Sequence, residues 1–201
     1  SELETYHAET TNSFAWKKNE IKLTGHYTYG KSNQLLSSRN WHSEIRYDRT
    51  LSEDFSAFIG EKLEGDEFSG LNIRYNTDLG SSYLLHKGDK NTTKVELGYR
   101  YTTEESNDPD IGKEYFQKGR AYFETKTQHN EDVFTKFWVE YIPNFSEGSD
   151  YSFTFEPSMN VRLNSLFALK VAYKGSYDNL PSVRGRDKYD YLYSTSFVAK
   201  F

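Results

Sequence analysis

The sequence has no cysteine, which excludes a disulfide-stabilised scaffold and a metal site built from thiolates. No apolar run approaches the roughly 18 residues of a membrane-spanning helix, and no helical period persists along the chain. The formal net charge of −5 over 201 residues is too small to indicate a nucleic-acid partner. The motif G-x-S-x-G, the P-loop and the zinc motif H-E-x-x-H are also missing. The chain therefore carries no recognisable catalytic motif.

Aromatic residues are what the sequence has in abundance. Apolar residues make up only 35% of the chain, but aromatic residues make up 17%, with 17 Tyr and 14 Phe. Disordered chains contain few aromatic residues. The low apolar fraction therefore has another cause than disorder.

Apolar and polar side chains alternate with a period of two along nearly the whole chain, which is typical of β-strands. In the segment 20–30, Ile21, Leu23 and Tyr27 share one face, and polar or charged side chains occupy the other. We predict eleven strands from this alternation, at residues 3–16, 20–31, 39–50, 55–64, 70–86, 92–104, 113–127, 133–144, 150–162, 166–177 and 188–201.

The predicted connections differ between the two ends of the strands. Short polar turns are expected at 17–19, 52–54, 88–92, 129–132 and 163–165, and longer loops at 32–38, 65–69, 103–112, 145–149 and 178–187. Short turns at one end and longer loops at the other are typical of outer-membrane barrels. The predicted strands are also longer than the average strand of about five or six residues in soluble proteins.

Alternation alone leaves open which face meets the core. In a soluble β-sandwich or calycin-like barrel the apolar face points inward, whereas in a membrane barrel it faces lipid. The aromatic side chains are too numerous to fill one barrel interior. Several of them, including Trp16, Trp41 and Tyr151, fall near strand ends, where membrane interfaces favour Tyr and Trp. We therefore predict a transmembrane antiparallel up-and-down β-barrel.

Three segments resemble a known family. They are YDRTLSEDFSAFIGEKLEGDEFSGL at 47–71, VELGYRYTTEES at 95–106, and the segment 165–201. They resemble the salt-induced outer-membrane proteins, the YdiY-like family of β-barrels of unknown function. The resemblance implies a single outer-membrane barrel domain over 1–201, with about twelve strands of which roughly eleven are present. A further N-terminal strand is expected upstream, with both mature termini in the periplasm.

The resemblance extends to assembly. Phe201 follows an alternating last segment and is similar to the C-terminal aromatic signal that the barrel assembly machinery reads. The expected partners are this machinery, outer-membrane lipid and, in a larger complex, another protein, with no nucleic acid.

Charges of both signs alternate with the apolar positions, and a membrane barrel would place them in its lumen. The lumen-lining selectivity candidates are Lys118, Arg120, Lys136, Lys170, Lys174, Arg162, Arg100, Glu44, Glu124 and Glu140. We name the first five the basic group, because their field would favour anionic solutes. The same pattern also fits a lumen packed with salt bridges, since buried charges must be paired.

Three histidines fall on consecutive predicted strands with inward parity. His7, His26 and His42 are weak candidates for a transition-metal site, since imidazole suits Zn, Cu and Ni. Hydrogen bonding within the lumen is the alternative. We predict no metal and no cofactor.

No enzyme is predicted. His42 and Ser43 are adjacent in one strand, so they point to opposite faces and cannot form a nucleophile–base pair. The expected function is a narrow channel for small polar or anionic solutes. The alternative is a non-conducting structural barrel that docks a partner protein or stabilises the envelope.

Two residues depart from the alternation. Pro157 lies inside a predicted strand and cannot donate a hydrogen bond, so a bulge or a local break is expected there. Glu61 falls on the apolar face, which we interpret as a bulge or as a position above the hydrocarbon.

Overall fold

The computed structural model describes residues 3–33, 35–181 and 187–199. The strands are β1 Leu3–Trp16, β2 Asn19–Ser32, β3 Leu35–Thr50, β4 Phe55–Asp66, β5 Leu71–Lys87, β6 Asn91–Ser106, β7 Glu114–Gln128, β8 Val133–Pro143, β9 Tyr151–Arg162, β10 Phe167–Asp178 and β11 Tyr189–Ala199. A short 3₁₀ helix, Glu67–Ser69, follows β4. In the part of the chain so described, no helix is both long and apolar enough to cross a membrane.

All eleven strands form one sheet in which the strand order follows the chain order. The residue registers of β1 to β4 and of β7 to β11 are antiparallel throughout. This up-and-down arrangement is the one expected from the short polar turns, and the predicted strand ranges agree closely with those observed.

The segment 32–38 is the main error in the predicted boundaries. We expected a long loop there, but β2 ends at Ser32 and β3 already begins at Leu35. The pairing of β2 with β3 shifts between Gly30 and Lys31, so a β-bulge absorbs one residue and the ladder continues beyond it. The chain reverses near Asn33, whose positive φ of 49° is one that asparagine tolerates better than most residues.

Close contacts divide the described residues into two compact units. Unit 1 consists of residues 3–81 (except 34) and 98–118, and unit 2 of residues 82–97, 119–181 and 187–199. The two units are described separately below.

In both units the exposed face of the sheet is the apolar one. In unit 1, Phe14 and Leu79 are 58% and 61% exposed, and in unit 2 Leu97 and Phe197 are 66% and 77% exposed. Among the described residues, the buried side chains include few large apolar ones beside the polar Asn76, Glu96, Thr102, Glu104, Asn144 and Ser158. A water-soluble protein shows the opposite distribution of apolar side chains. The exposed apolar face therefore suits contact with an apolar environment.

The two departures from alternation have different outcomes. Pro157 pairs with Phe137 of β8, but the ladder to β10 stops after Ser158 and Ala172 and resumes at Phe155 and Gly175. The expected local break is therefore confirmed on the β10 side.

On the β3 side no bulge occurs at Glu61, because β3 and β4 pair without interruption and Glu61 stands opposite Ile45. Glu61 lies on the apolar face, where its carboxylate accepts a 2.6 Å hydrogen bond from the hydroxyl of Thr77.

Candidate functional site

The opposite face of the sheet, here called the polar face, carries the charged side chains. In unit 2 its centre is Arg120 on β7, which donates 2.7 Å and 2.6 Å hydrogen bonds to Glu96 on β6 and Glu140 on β8. The side chains of Arg120 and Glu96 are only 9% and 1% exposed. Charge-assisted hydrogen bonds of this length are the strong ones, so Arg120 ties three neighbouring strands together.

The same network continues through Glu124. Its carboxylate lies 2.8 Å from the ammonium of Lys136 and accepts a 2.6 Å hydrogen bond from the hydroxyl of Tyr122. Lys94 reaches both Glu96 at 3.0 Å and Glu124 at 4.0 Å. We call these residues the Arg120 network, and they are Lys94, Glu96, Arg120, Tyr122, Glu124, Lys136 and Glu140.

Unit 1 has a corresponding network around Arg74 on β5. Its guanidinium lies 2.7 Å from Glu104 and 3.3 Å from Glu64. Glu64 also pairs with Lys62 and accepts a hydrogen bond from Asn76. The buried Thr102 hydroxyl donates to Asn76 at 2.8 Å. None of the buried side-chain polar atoms in the described ranges lacks a hydrogen-bond partner.

Further ion pairs on the polar face of unit 1 join neighbouring strands or lie within one. Arg100 makes two 2.7 Å hydrogen bonds to Asp78. Arg46 binds Asp48 at 2.7 Å and also stacks on Phe58, with 3.9 Å between the guanidinium carbon and the ring centroid. Phe58 is 3% exposed, so the polar face also contains a buried aromatic ring that the sequence analysis missed.

The remaining members of the basic group, and Arg162, differ in their surroundings. Lys170 on β10 pairs with Glu156 on β9 at 2.9 Å. Arg162 pairs with Asp132 at 2.8 Å, and both side chains are at least half exposed. The ammonium of Lys118 lies 5.0 Å above the ring of Phe116, and Lys174 is exposed on the polar face of β10.

The basic group is thus interleaved with acids and is not an uninterrupted basic surface. Arg120, Lys136 and Lys170 each have a carboxylate on a neighbouring strand. A pattern of alternating charges predicts the face of a residue but not which neighbour it binds.

Some polar-face charges have no oppositely charged partner within the described residues, among them Glu44, Glu9 and Lys126. Glu44 on β3 stands opposite Lys62 in the register, but Lys62 pairs with Glu64 instead. Glu9 on β1 stands opposite His26. Lys126 on β7 stands opposite another lysine, Lys136, and rests 4.2 Å above the ring of Phe134. Lys126 is a candidate that the sequence analysis missed, although its parity with Arg120 and Glu124 could have identified it.

The three histidines are brought together in a row across β1, β2 and β3. The ring centroids of His7 and His26 are 4.6 Å apart, and those of His26 and His42 are 4.9 Å apart with planes only 3° from parallel. The rings of His7 and His26 meet edge to face, with 67° between their planes, whereas those of His26 and His42 are stacked. Among the described residues no group of three or more His, Asp or Glu side chains is arranged to hold a metal ion.

Two charged groups in the connecting loops have altered proton affinities. A hydrogen bond with Glu105 and the charge of that carboxylate raise the pKa of Lys113, which precedes β7. Hydrogen bonds from the hydroxyl and the backbone N–H of Ser149 lower the pKa of Glu147, which lies between β8 and β9. Both side chains are solvent-exposed, so salt screens their effect on stability.

The predicted assembly signal, Phe201, lies outside the described residues. Every other candidate from the sequence falls on the polar face.

Comparisons with known proteins agree with this arrangement. A family profile described as "Protein of unknown function, DUF481" matches residues 1–201. No curated protein sequence matches the chain. Among solved structures, the NanC porin is 12% identical with a TM-score of 0.63, over 98% of this chain and 94% of the porin. A bacterial polysaccharide outer-membrane secretin is 9% identical with a TM-score of 0.53, over 96% of this chain and 78% of that one. At such identities the likeness shows the fold, which is the predicted antiparallel β-barrel.

Proposed function

Because this chain belongs to the DUF481 family of proteins of unknown function and has a porin-like β-barrel fold, we propose that it is an outer-membrane channel for small polar solutes. The proposal includes a narrow lumen lined by the polar face and a weak preference between anions and cations. It does not include catalysis.

The observation that carries the proposal is the two-faced sheet. Large apolar side chains such as Leu97 and Phe197 are exposed on one face, where a bilayer would cover them. The other face presents paired charges, hydroxyls and amides, which suit contact with water and polar solutes. A barrel whose inner face is polar and whose outer face is apolar is the arrangement of outer-membrane porins.

Pairing of neighbouring charges on the polar face supports a channel with only a weak preference between anions and cations. Arg120, Lys136 and Lys170 would attract anions strongly only if their charges were uncompensated, and each has a carboxylate within 2.9 Å. An anion preference would instead come from Lys126, whose contact is an aromatic ring. Glu9 and Glu44 act in the opposite sense. The expected substrates are therefore small polar molecules, with anions favoured near Lys126.

One observation favours the second candidate, a non-conducting structural barrel. Glu96 and Thr102 are 1% and 0% exposed, so solvent does not reach them even though they lie on the polar face. If side chains close the whole lumen in this way, the barrel does not conduct and instead acts as a rigid support or a docking partner for another protein.

Planar bilayers distinguish the two candidates. The purified protein should give discrete current steps in potassium chloride and should admit small neutral sugars into proteoliposomes in a swelling assay. Insertion without current over a range of voltages and salt concentrations would exclude the channel and favour the structural barrel.

The partners of the barrel belong to the same proposal. The exposed apolar face would contact outer-membrane lipid, and the barrel assembly machinery would insert the chain. Removing Phe201 should slow insertion and leave unfolded chain in the periplasm, which pulse-chase labelling and protease protection can follow. Normal insertion kinetics without Phe201 would contradict its role as an assembly signal.

A further inference from the structure

The histidine row on β1 to β3 is the polar-face feature that the proposed function leaves unused. Imidazole is the side chain that ordinarily changes charge between about pH 5 and pH 8. The ring centroids lie 4.6 Å (His7 to His26) and 4.9 Å (His26 to His42) apart, so rings that became charged would repel one another. The row is therefore the part of the described polar face that is most sensitive to mild acid.

Hydrogen bonds connect two members of the row through Thr28. Nε2 of His26 lies 3.1 Å from Oδ1 of Asn40, and because an amide oxygen only accepts, Nε2 carries the hydrogen. The same Nε2 lies 3.0 Å from the hydroxyl of Thr28, which lies 3.1 Å from Nδ1 of His7. Thr28 can thus donate to Nδ1 of His7 only while that nitrogen is unprotonated.

Protonation would change the hydrogen bond between His7 and Thr28 and the ring stacking between His26 and His42. A proton on Nδ1 of His7 reverses the hydrogen bond with Thr28, since the ring nitrogen then becomes the donor. The parallel rings of His26 and His42 stack well as neutral groups but would repel as two cations 4.9 Å apart.

The charged groups that face the row are mostly acidic. Register places Glu9 of β1 opposite His26, Glu64 of β4 opposite His42, and Asp66 of β4 opposite Asn40, with Glu44 and Lys62 one pair further along β3 and β4. Lys62 and Arg74 already compensate Glu64. At neutral pH this region is therefore net acidic, and protonated histidines would reverse its sign.

We propose that the His7–His26–His42 row is a pH-responsive selectivity element: mild acid charges the row, separates the rings and moves this part of the channel from favouring cations to favouring anions. The proposal rests on the proposed channel function and adds to it a regulation by pH.

The electrical test compares ion permeabilities at pH 8 and pH 5. The anion-to-cation permeability ratio of the wild-type channel should rise roughly tenfold on acidification, the lower end of the concentration effect that a cleft of one charge sign produces. In a variant that combines His7→Gln, His26→Gln and His42→Gln, the permeability ratio at pH 5 should be nearly the same as its ratio at pH 8. The matched control is His129→Gln, since His129 lies in the β7–β8 turn, where its ring is hydrogen-bonded to Thr135 and not to a member of the row, and the variant should respond like the wild type.

A second readout does not require current. Histidine ring signals of the full protein in detergent micelles, followed by NMR against pH, should show coupled titration of the row. In His26→Gln the two remaining rings should titrate as separate groups.

The outcomes separate the two claims. An equal rise of the permeability ratio in the wild type and the triple variant would overturn the pH proposal and leave the channel intact, as would independent titration of the three rings in the wild type. A protein that inserts but carries no current would overturn both the channel and its regulation. Loss of the acid response in the triple variant alone, with coupled titration in the wild type, is the expected result.

Discussion

At the scale of single residues, the polar face contains two kinds of ion pair that should differ greatly in their effect on stability. Replacing Arg120 by Met would leave two carboxylates, Glu96 and Glu140, without their shared guanidinium, and Glu96 is almost completely buried. Breaking a buried pair from one side typically costs about 3–5 kcal/mol. Urea unfolding of the protein in lipid vesicles should show a loss of this size for Arg120→Met.

Arg162→Met is the matched control for that measurement. Arg162 pairs with Asp132, but their side chains are 50% and 58% exposed, so the change should cost less than about 1 kcal/mol. Similar losses in the two variants would mean that the Arg120 network is hydrated and contributes little to stability.

The outward and inward faces can be separated at another pair of residues. Leu97 is 66% exposed on the apolar face near the middle of β6. Leu97→Arg should destabilise the folded barrel by about 2–4 kcal/mol, the cost of a cation facing lipid at the bilayer centre. Resistance to unfolding by heat in detergent, read from gel mobility, measures the effect.

The neighbouring Glu96 is a poor control, because it binds both Lys94 and Arg120. Glu44→Gln is better, since Glu44 lies on the polar face without an ionic partner among the residues described and should tolerate the change. Equal losses at Leu97 and Glu44 would contradict the assignment of the two faces.

At the scale of the strands, Pro157 interrupts the ladder between β9 and β10. Because proline has no N–H, the pairing is missing opposite Tyr173 and Lys174 while the ladder to β8 continues. Pro157→Val supplies the missing donor and a strand-forming side chain. We expect it to stabilise the barrel by about 1 kcal/mol, the typical net value of one hydrogen bond.

Urea unfolding measures this gain, and amide exchange should show a protected N–H at the new valine. Met159→Val is the control, because Met159 lies on the same strand and face and already has its N–H. An equal gain in both variants would attribute the effect to side-chain propensity and not to the ladder.

Strands were the part of the fold that could be predicted from sequence. A period of two is visible directly in the chain, so strand positions and the face of each residue follow from it, as for Arg100, Glu124 and Lys136. The extension of β3 to Leu35 could not be predicted, because it depends on a bulge that leaves Ser37 without a register partner and lets the ladder resume at Leu36. The ion-pair partner of each charge could not be predicted either. Glu44 stands opposite Lys62 in the register, yet Lys62 binds Glu64.

At the scale of the whole molecule, orientation in the membrane is a prediction from loop length. The connection between β6 and β7 is longer than the turn between β7 and β8, and outer-membrane barrels place long loops outside and short turns in the periplasm. Asp110→Cys should therefore react with a bulky thiol reagent added to intact cells, whereas Asn130→Cys should react only after lysis. The chain has no natural cysteine to interfere, and the reverse labelling would invert the proposed topology.

Ion selectivity of the whole channel should depend on uncompensated charge and not on the number of basic residues. Reversing Arg120 and Lys136 would place new carboxylates beside Glu140 and Glu124 and would test stability more than conduction. Lys126→Glu avoids this problem, because Lys126 contacts a ring and stands opposite Lys136, which could pair with the new carboxylate. The variant should fold normally and shift the reversal potential in a salt gradient toward cation preference, since charges in a narrow low-dielectric passage are poorly screened. Lys126→Gln should produce a smaller shift in the same direction. Unchanged selectivity in a Lys126→Glu channel that conducts and resists heat like the wild type would remove Lys126 from the conduction path.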